Sequence, residues 1–133
     1  MTAVNIYDIQ SFTYSETENS ERQCQGVIQV NADHPVFDGH FPGNPVVPGV
    51  YQVQMVKDLV EKALNHPVKL FESDNIKFLS MINPQETTLL EFNIHIKPIT
   101  ASQFTANANI GSGSKIFLKF KGKFKLEAGC KKR

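Results

Sequence analysis

Cysteine is scarce in this chain, occurring only at Cys24 and Cys130. Two thiols so far apart give no metal-ligand spacing, and no metal or other cofactor is expected. A disulfide between them stays open, but scattered cysteines fit buried or idle thiols in a reducing cytoplasm. Neither sign of charge dominates: 14 Lys and Arg stand against 13 Asp and Glu, for a net charge of +1. Global charge therefore gives no reason to expect nucleic acid. No stretch approaches the roughly 20 apolar residues that a membrane span requires. The opening Met-Thr-Ala-Val-Asn-Ile-Tyr-Asp has neither the basic region nor the apolar run of a secretory signal. Internal repeats and low-complexity segments are also lacking. These absences predict a cytoplasmic protein that touches neither membrane nor nucleic acid.

With 133 residues, 41% of them hydrophobic and 20% charged, the chain has the size and composition of one globular domain spanning 1–133. Residues 5–14 read as a first strand and 21–31 as a second, with Cys24, Gly26, Ile28 and Val30 sharing a face. Residues 33–48 form a loop with four prolines, of which Pro42, Pro45 and Pro48 recur at every third position. Proline fixes φ and removes a donor, so this loop is expected to be an extended, stiff ribbon. Residues 50–64 then tolerate a helix of about 22 Å. Val53, Val56, Val60 and Ala63 form one apolar stripe on it, and Tyr51, Met55 and Leu59 a second, so the helix is expected to be mostly buried. Asn65, His66 and Pro67 end it.

The rest alternates with period two. Strands are expected at 75–82, 88–98, 103–110 and 115–126, with Gly111-Ser112-Gly113-Ser114 as a hairpin turn between the last two. One buried helix after two strands, followed by an antiparallel meander, predicts an α+β fold: a curved antiparallel sheet wrapped around one central helix.

One stretch carries chemistry. Gly39-His40-Phe41-Pro42-Gly43-Asn44-Pro45-Val46-Val47-Pro48-Gly49 sets a histidine on a rigid turn just before a helix N-terminus. Imidazole can remove a proton at near-neutral pH. The free N–H groups at the helix start can hold the negative charge that develops on a neighbouring carbonyl oxygen. That pairing suits proton abstraction next to a carbonyl.

The segment from His40 to Gly49 resembles the signature of the 3-hydroxyacyl-acyl-carrier-protein dehydratases of bacterial fatty acid synthesis, which have the hot-dog fold. Asn75-Ile76-Lys77-Phe78 resembles the strand that follows in that family, whereas Asn83-Pro84-Gln85 replaces its Pro-Gly-Asp turn. The resemblance implies that His40 removes the C2 proton of a 3-hydroxyacyl thioester and that the Gly49 N–H polarises the thioester carbonyl. It also implies an acyl carrier protein with its acyl-phosphopantetheine arm as partner, and a dimer whose active sites combine the two subunits. In the family, the residue fourteen positions after the histidine is a Glu or Asp that protonates the departing hydroxyl. Here that residue is Gln54, and an amide cannot supply a proton at neutral pH. Asp58 follows one helical turn later on the same face, inverting the family's usual acid-then-Gln order. It keeps a carboxylate near the site and is expected to replace the missing acid in part.

Three functions remain open on these residues. The first is a dehydratase, slowed by Gln54, in fatty acid or polyene-type synthesis. The second is an impaired hot-dog subunit that binds acyl chains or pairs with an active partner in a heterodimer. The third is an acyl thioesterase, although hydrolysis does not require the proline-rich histidine loop. Gln54, Asp58 and Glu61 share one helical stripe that would by default be solvated. His34, His66 and His95 read as loop or surface residues. Lys119, Lys121, Lys123 and Lys125 all face one side of the last strand, either as a solvated edge or as a docking face for acyl carrier protein.

Overall fold

Alternation governs the sheet. Along one strand Leu90, Phe92, Ile94 and Ile96 are all buried, while their neighbours point outward. The computed structural model describes residues 5–37 and 45–127. His40, most of the proline-glycine ribbon, and Cys130 with its basic tail lie outside the described residues.

Among the described residues, β1 (Tyr7–Glu16), β2 (Arg22–Val30), β3 (Val68–Phe78), β4 (Leu89–Pro98), β5 (Gln103–Ser112) and β6 (Lys115–Leu126) form one antiparallel sheet. Its order is β1-β2-β4-β5-β6-β3, which leaves β1 and β3 at the edges. Among the described residues a single α-helix, α1 (Gly49–Leu64), lies between β2 and β3 in the chain and packs on the inner face. This is the hot-dog arrangement that the sequence leads one to expect.

The helix begins one residue earlier than expected, at Gly49, because Pro48 is extended (φ −60°, ψ 148°) and its carbonyl takes the N–H groups of Tyr51 and Gln52. It ends where Asn65 turns left-handed at φ 53°. The Arg22 guanidinium donates to the carbonyl of Ala63 near that end, where a cation also suits the helix dipole. Met55, Val56, Leu59, Val60 and Ala63 are buried and belong to the same core as Ile28, Phe92, Ile94 and Phe124. Each such Leu, Ile or Phe contributes roughly 1.5–3 kcal/mol of burial. Gly26 makes close packing possible: a Cβ there would stand 3.2 Å from Leu59 Cδ1.

The principal departure is β3. Expected at 75–82, it runs from Val68 to Phe78. It lies at the sheet edge, carries Lys69, Glu72, Ser73 and Asp74, and slips register twice against β6, between Leu70 and Glu72 and between Ser73 and Asn75. Edge exposure and bulges erase the period-two signal. After Phe78, the N–H groups of Leu79 and Ser80 both turn to the carbonyl of Phe117, which ends the ladder. Smaller shifts affect β1, which starts at Tyr7 and continues to Glu16, and the 33–48 loop, which opens with a 3-10 turn at Pro35–Phe37. There His34 Nδ1 accepts the N–H of Val36 at 3.0 Å, a loop role that matches its reading as a loop histidine.

Candidate active site

The start of α1 is clamped from both sides. The Val47 N–H donates to the carbonyl of Ile82 at 2.8 Å, and the buried Gln52 donates through Nε2 to the carbonyl of Val47 at 3.0 Å. These bonds fix the approach of Pro48 and Gly49 against the segment that follows β3. The first residues of a helix have N–H groups without a helical partner, so Gly49 and Val50 present donors at this end. Among the described residues no side chain caps the helix here.

Gly49 lies under an aromatic lid. A Cβ on it would fall 2.7 Å from Cζ of Phe78, so only a bare Cα fits beneath that ring as it stands. Phe78 is 54% exposed and separates two clefts. One, of about 620 Å³, is lined by Gly49, Val50, Val53, Gln54, Lys57 and Phe78, among others. The other, of about 520 Å³, lies between Val46, Pro48, Leu79 and Met81. Val50, Phe78, Leu79 and Met81 are all large, apolar and more than half exposed around these mouths.

Gln54 stands on the ridge between the Gly49 cleft and a third cleft of about 440 Å³, lined by Tyr7, Asp8, Tyr51 and Asp58. Its Nε2 donates to Asp58 Oδ1 at 2.8 Å. Asp58 Oδ2 accepts the Tyr7 hydroxyl at 2.6 Å. Both carboxylate oxygens are therefore engaged as acceptors. Asp58, expected to replace the missing acid in part, faces β1 and accepts from both Tyr7 and Gln54. Half-burial, followed by the hydrogen bond and charge of Asp58, raises the Tyr7 phenol well above the ordinary tyrosine range, so it stays a donor.

Thus Gln54 shares one cleft with Gly49 at the helix start and another with Asp58 further along the helix, while His40 lies outside the described residues. Sequence reading missed Tyr7, which sits 51 positions from Asp58. A tyrosine on an edge strand carries no local signal of such a contact. The 54/58/61 stripe is not merely solvated either, since Glu61 Oε2 accepts the N–H of Val68 at 2.9 Å. His95 pairs with Glu21 at 2.8 Å, which agrees with its reading as a surface residue. Among the described residues, no cluster of His, Cys, Asp and Glu is placed to hold a metal ion. Among the described residues no helix is long and apolar enough to cross a membrane.

Comparison with known proteins agrees with this fold. The 3-hydroxyacyl-[acyl-carrier-protein] dehydratase FabZ of Rickettsia felis is 30% identical over 97 residues, covering 67% of either chain. A solved structure of an uncharacterized protein from Erwinia carotovora subsp. atroseptica superposes with a TM-score of 0.69 at 24% identity, over 96% of this chain and 100% of that one. The dehydratase heterocomplex ApeI:P from Xenorhabdus doucetiae gives 0.59 at 18% identity, over 89% and 96%. Residues 16–115, which include His40, the helix and its flanking strands, match the ApeI dehydratase model, and the chain belongs to the ApeI-like dehydratase family.

Proposed function

We propose that this protein dehydrates 3-hydroxyacyl thioesters carried on acyl carrier protein to trans-2-enoyl thioesters, in the cytoplasm, within fatty acid or polyene-type biosynthesis. The observation that carries the reading is the bare Cα of Gly49 at the helix start beneath Phe78, with Gln54 lining the same cleft. These residues follow His40 in the family's register. His40 takes the C2 proton, and the Gly49 N–H holds the charge that builds on the thioester oxygen. The electron pair left at C2 becomes the C2=C3 bond as C3–O breaks. Gln54 has a second N–H beyond the one given to Asp58 and can donate it to the departing oxygen. With no acid at position 54, the proton gained by His40 leaves with that oxygen as water. A missing general acid costs roughly 10²–10⁴-fold, so the expected enzyme is slow.

A dimer fits this reading. The edge strand β3 and the exposed Val50, Phe78, Leu79 and Met81 offer a second copy both backbone partners and apolar area next to the site. The outward lysines of β6 offer a face for an acidic carrier. Lys123 is already held by Glu72 at 3.1 Å, whereas Lys119 stands directly opposite Lys77 and Lys125 opposite Lys69. Opposed like charges repel, and an acidic partner relieves that repulsion.

A second reading has its own support. Gln54 replaces the acid, and the related ApeI:P dehydratase is a heterocomplex, so this chain can instead be the subunit of a pair whose partner supplies the carboxylate. One experiment separates the readings: dehydration, enoyl-thioester hydration and thioester hydrolysis are measured with the purified protein alone and with a candidate hot-dog partner. Turnover alone, abolished by His40→Ala, supports the dehydratase. Turnover only with the partner supports the paired subunit, and hydrolysis without hydration overturns both.

A further inference from the structure

Three side chains from two elements form a short chain on the far side of Gln54 from Gly49. The Tyr7 hydroxyl on β1 donates to Asp58 Oδ2, and Gln54 Nε2 donates to Asp58 Oδ1. Tyr7 and Asp58 are both half-buried, whereas Gln54 is exposed at the ridge between the clefts. An exposed glutamine ordinarily samples many rotamers, and ordering one costs up to roughly 1.5–2 kcal/mol of side-chain entropy. Here the ordering is shared with a carboxylate that a second donor already holds in place.

We propose that Tyr7 is a positioning residue for Gln54, acting through Asp58. The inference rests on the reading of Gln54 as the group that addresses the leaving oxygen. The argument is one of donors and acceptors. An amide has two N–H donors and one carbonyl oxygen, and its two ends are chemically opposite. Free to rotate, it presents Oε1 to the substrate as readily as Nε2, and a carbonyl oxygen opposes departure of hydroxide. Asp58 accepts only, so it binds Nε2 and not Oε1. That choice ends the free flipping of the amide: Nε2 stays at Asp58 with one N–H still to give.

Tyr7 is needed to keep the choice one-sided. Its hydroxyl occupies Oδ2, so a single carboxylate oxygen is left for Gln54 and the carboxylate cannot turn away into the β1 cleft. The phenol stays protonated through any ordinary pH range because burial and Asp58 both hold the proton on it. Asp58 is then an anchor rather than an acid, which is why its inverted place in the helix does no harm. The stripe 54/58 and the strand β1 work as one device for orienting an amide where the family carries an acid.

The test removes one oxygen atom. Tyr7→Phe keeps the ring in β1 and deletes only the hydroxyl. Its kcat for dehydration is expected to fall about three- to tenfold, the weight of one ordinary hydrogen bond, at unchanged KM and with only the small loss of thermal stability that one such bond carries. In a Gln54→Ala background the same change should have no further effect, because there is no amide left to orient. An equal fall in both backgrounds, or none in the parent, overturns the inference. A second readout does not depend on turnover: the Gln54 side-chain amide protons, observed by NMR, should exchange with water faster in Tyr7→Phe and in Asp58→Ala. An inactive parent with a Gln54 amide that loosens in both variants refutes the dehydratase reading and leaves the positioning role intact. An amide unchanged in both variants refutes the positioning role, whatever the activity.

Discussion

The Phe78 ring lies directly over Gly49, so close that a side-chain carbon on the glycine would come within 2.7 Å of its Cζ. The contact joins the start of the helix to the end of β3 and places an aromatic wall between two clefts. Space for the wall exists because position 49 has no side chain.

Gly49→Ala therefore tests the wall more than the fold. Phe78 is half exposed, so its ring can swing outward and the stability cost should stay within about 1 kcal/mol. The displaced ring then enters the clefts, and kcat/KM should fall at least about tenfold, in line with the sensitivity of reacting geometry to small displacements. Adding Phe78→Ala should recover part of the loss. The measurement is kcat/KM for both single variants and the double. A double variant as poor as the product of the singles would show that the ring is not the cause.

A second close contact concerns stability alone. Gly26 and Leu59 meet where helix and sheet approach most closely, with Leu59 fully buried. Leu59→Ala should cost about 2–5 kcal/mol in denaturant unfolding, from lost burial and the cavity left behind. Gly26→Ala alone adds a methyl group 3.2 Å from Leu59 Cδ1 and should also destabilise. The two changes combined should cost less than their sum, by at least about 0.5 kcal/mol, because the new methyl occupies part of the new cavity. Strict additivity would contradict this packing.

Much of this fold was legible because its signals are local. The alternation in β2, β4 and β6 and the stripes of α1 each arise from burial against one core, and residues such as Ile28, Phe92 and Leu59 announce it. β3 was half missed because an edge strand with two register slips has no such pattern. At the site, the family resemblance points to Gly49 and Gln54 by their register after His40, and the two line one cleft. The orientation of Asp58 does not, since it is set by Tyr7 from a different strand, and spacing along a helix cannot report what packs across it.

The Tyr7–Asp58 contact also sets a pH dependence. The titratable groups around Tyr7 in its cleft are Asp8, Tyr51 and Asp58. Burial and Asp58 raise the folded-state pKa of Tyr7 above the unfolded value of about 10. The resulting stability is fully present below about pH 10 and is lost as pH rises toward the folded-state value, because only the unfolded chain releases the proton in that window. Unfolding free energy measured from neutral to strongly alkaline pH should therefore fall more steeply above pH ~10 in the parent than in Tyr7→Phe. Parallel curves would mean that Tyr7 is not linked to folding.

Restoring a carboxyl at position 54 tests the assignment of that residue most directly. In Gln54→Glu the new side chain lies beside Asp58 Oδ1, where the amide now sits at 2.8 Å. Two carboxyls at that separation do not both ionise readily, so the pair retains a proton to higher pH than an isolated glutamate would. Tyr7 already donates to the far oxygen of Asp58, which favours keeping the negative charge there and the proton on the introduced carboxyl. The variant thus gains a proton donor in the family's register, and dehydration should accelerate by about 10²-fold, the lower end of what general acid catalysis supplies. Its rate should also fall as pH rises through the titration of the shared proton, a limb that the parent lacks. Both effects are read from kcat against pH on a carrier-bound 3-hydroxyacyl thioester. A folded Gln54→Glu variant that is no faster than the parent would place the leaving oxygen elsewhere than at position 54.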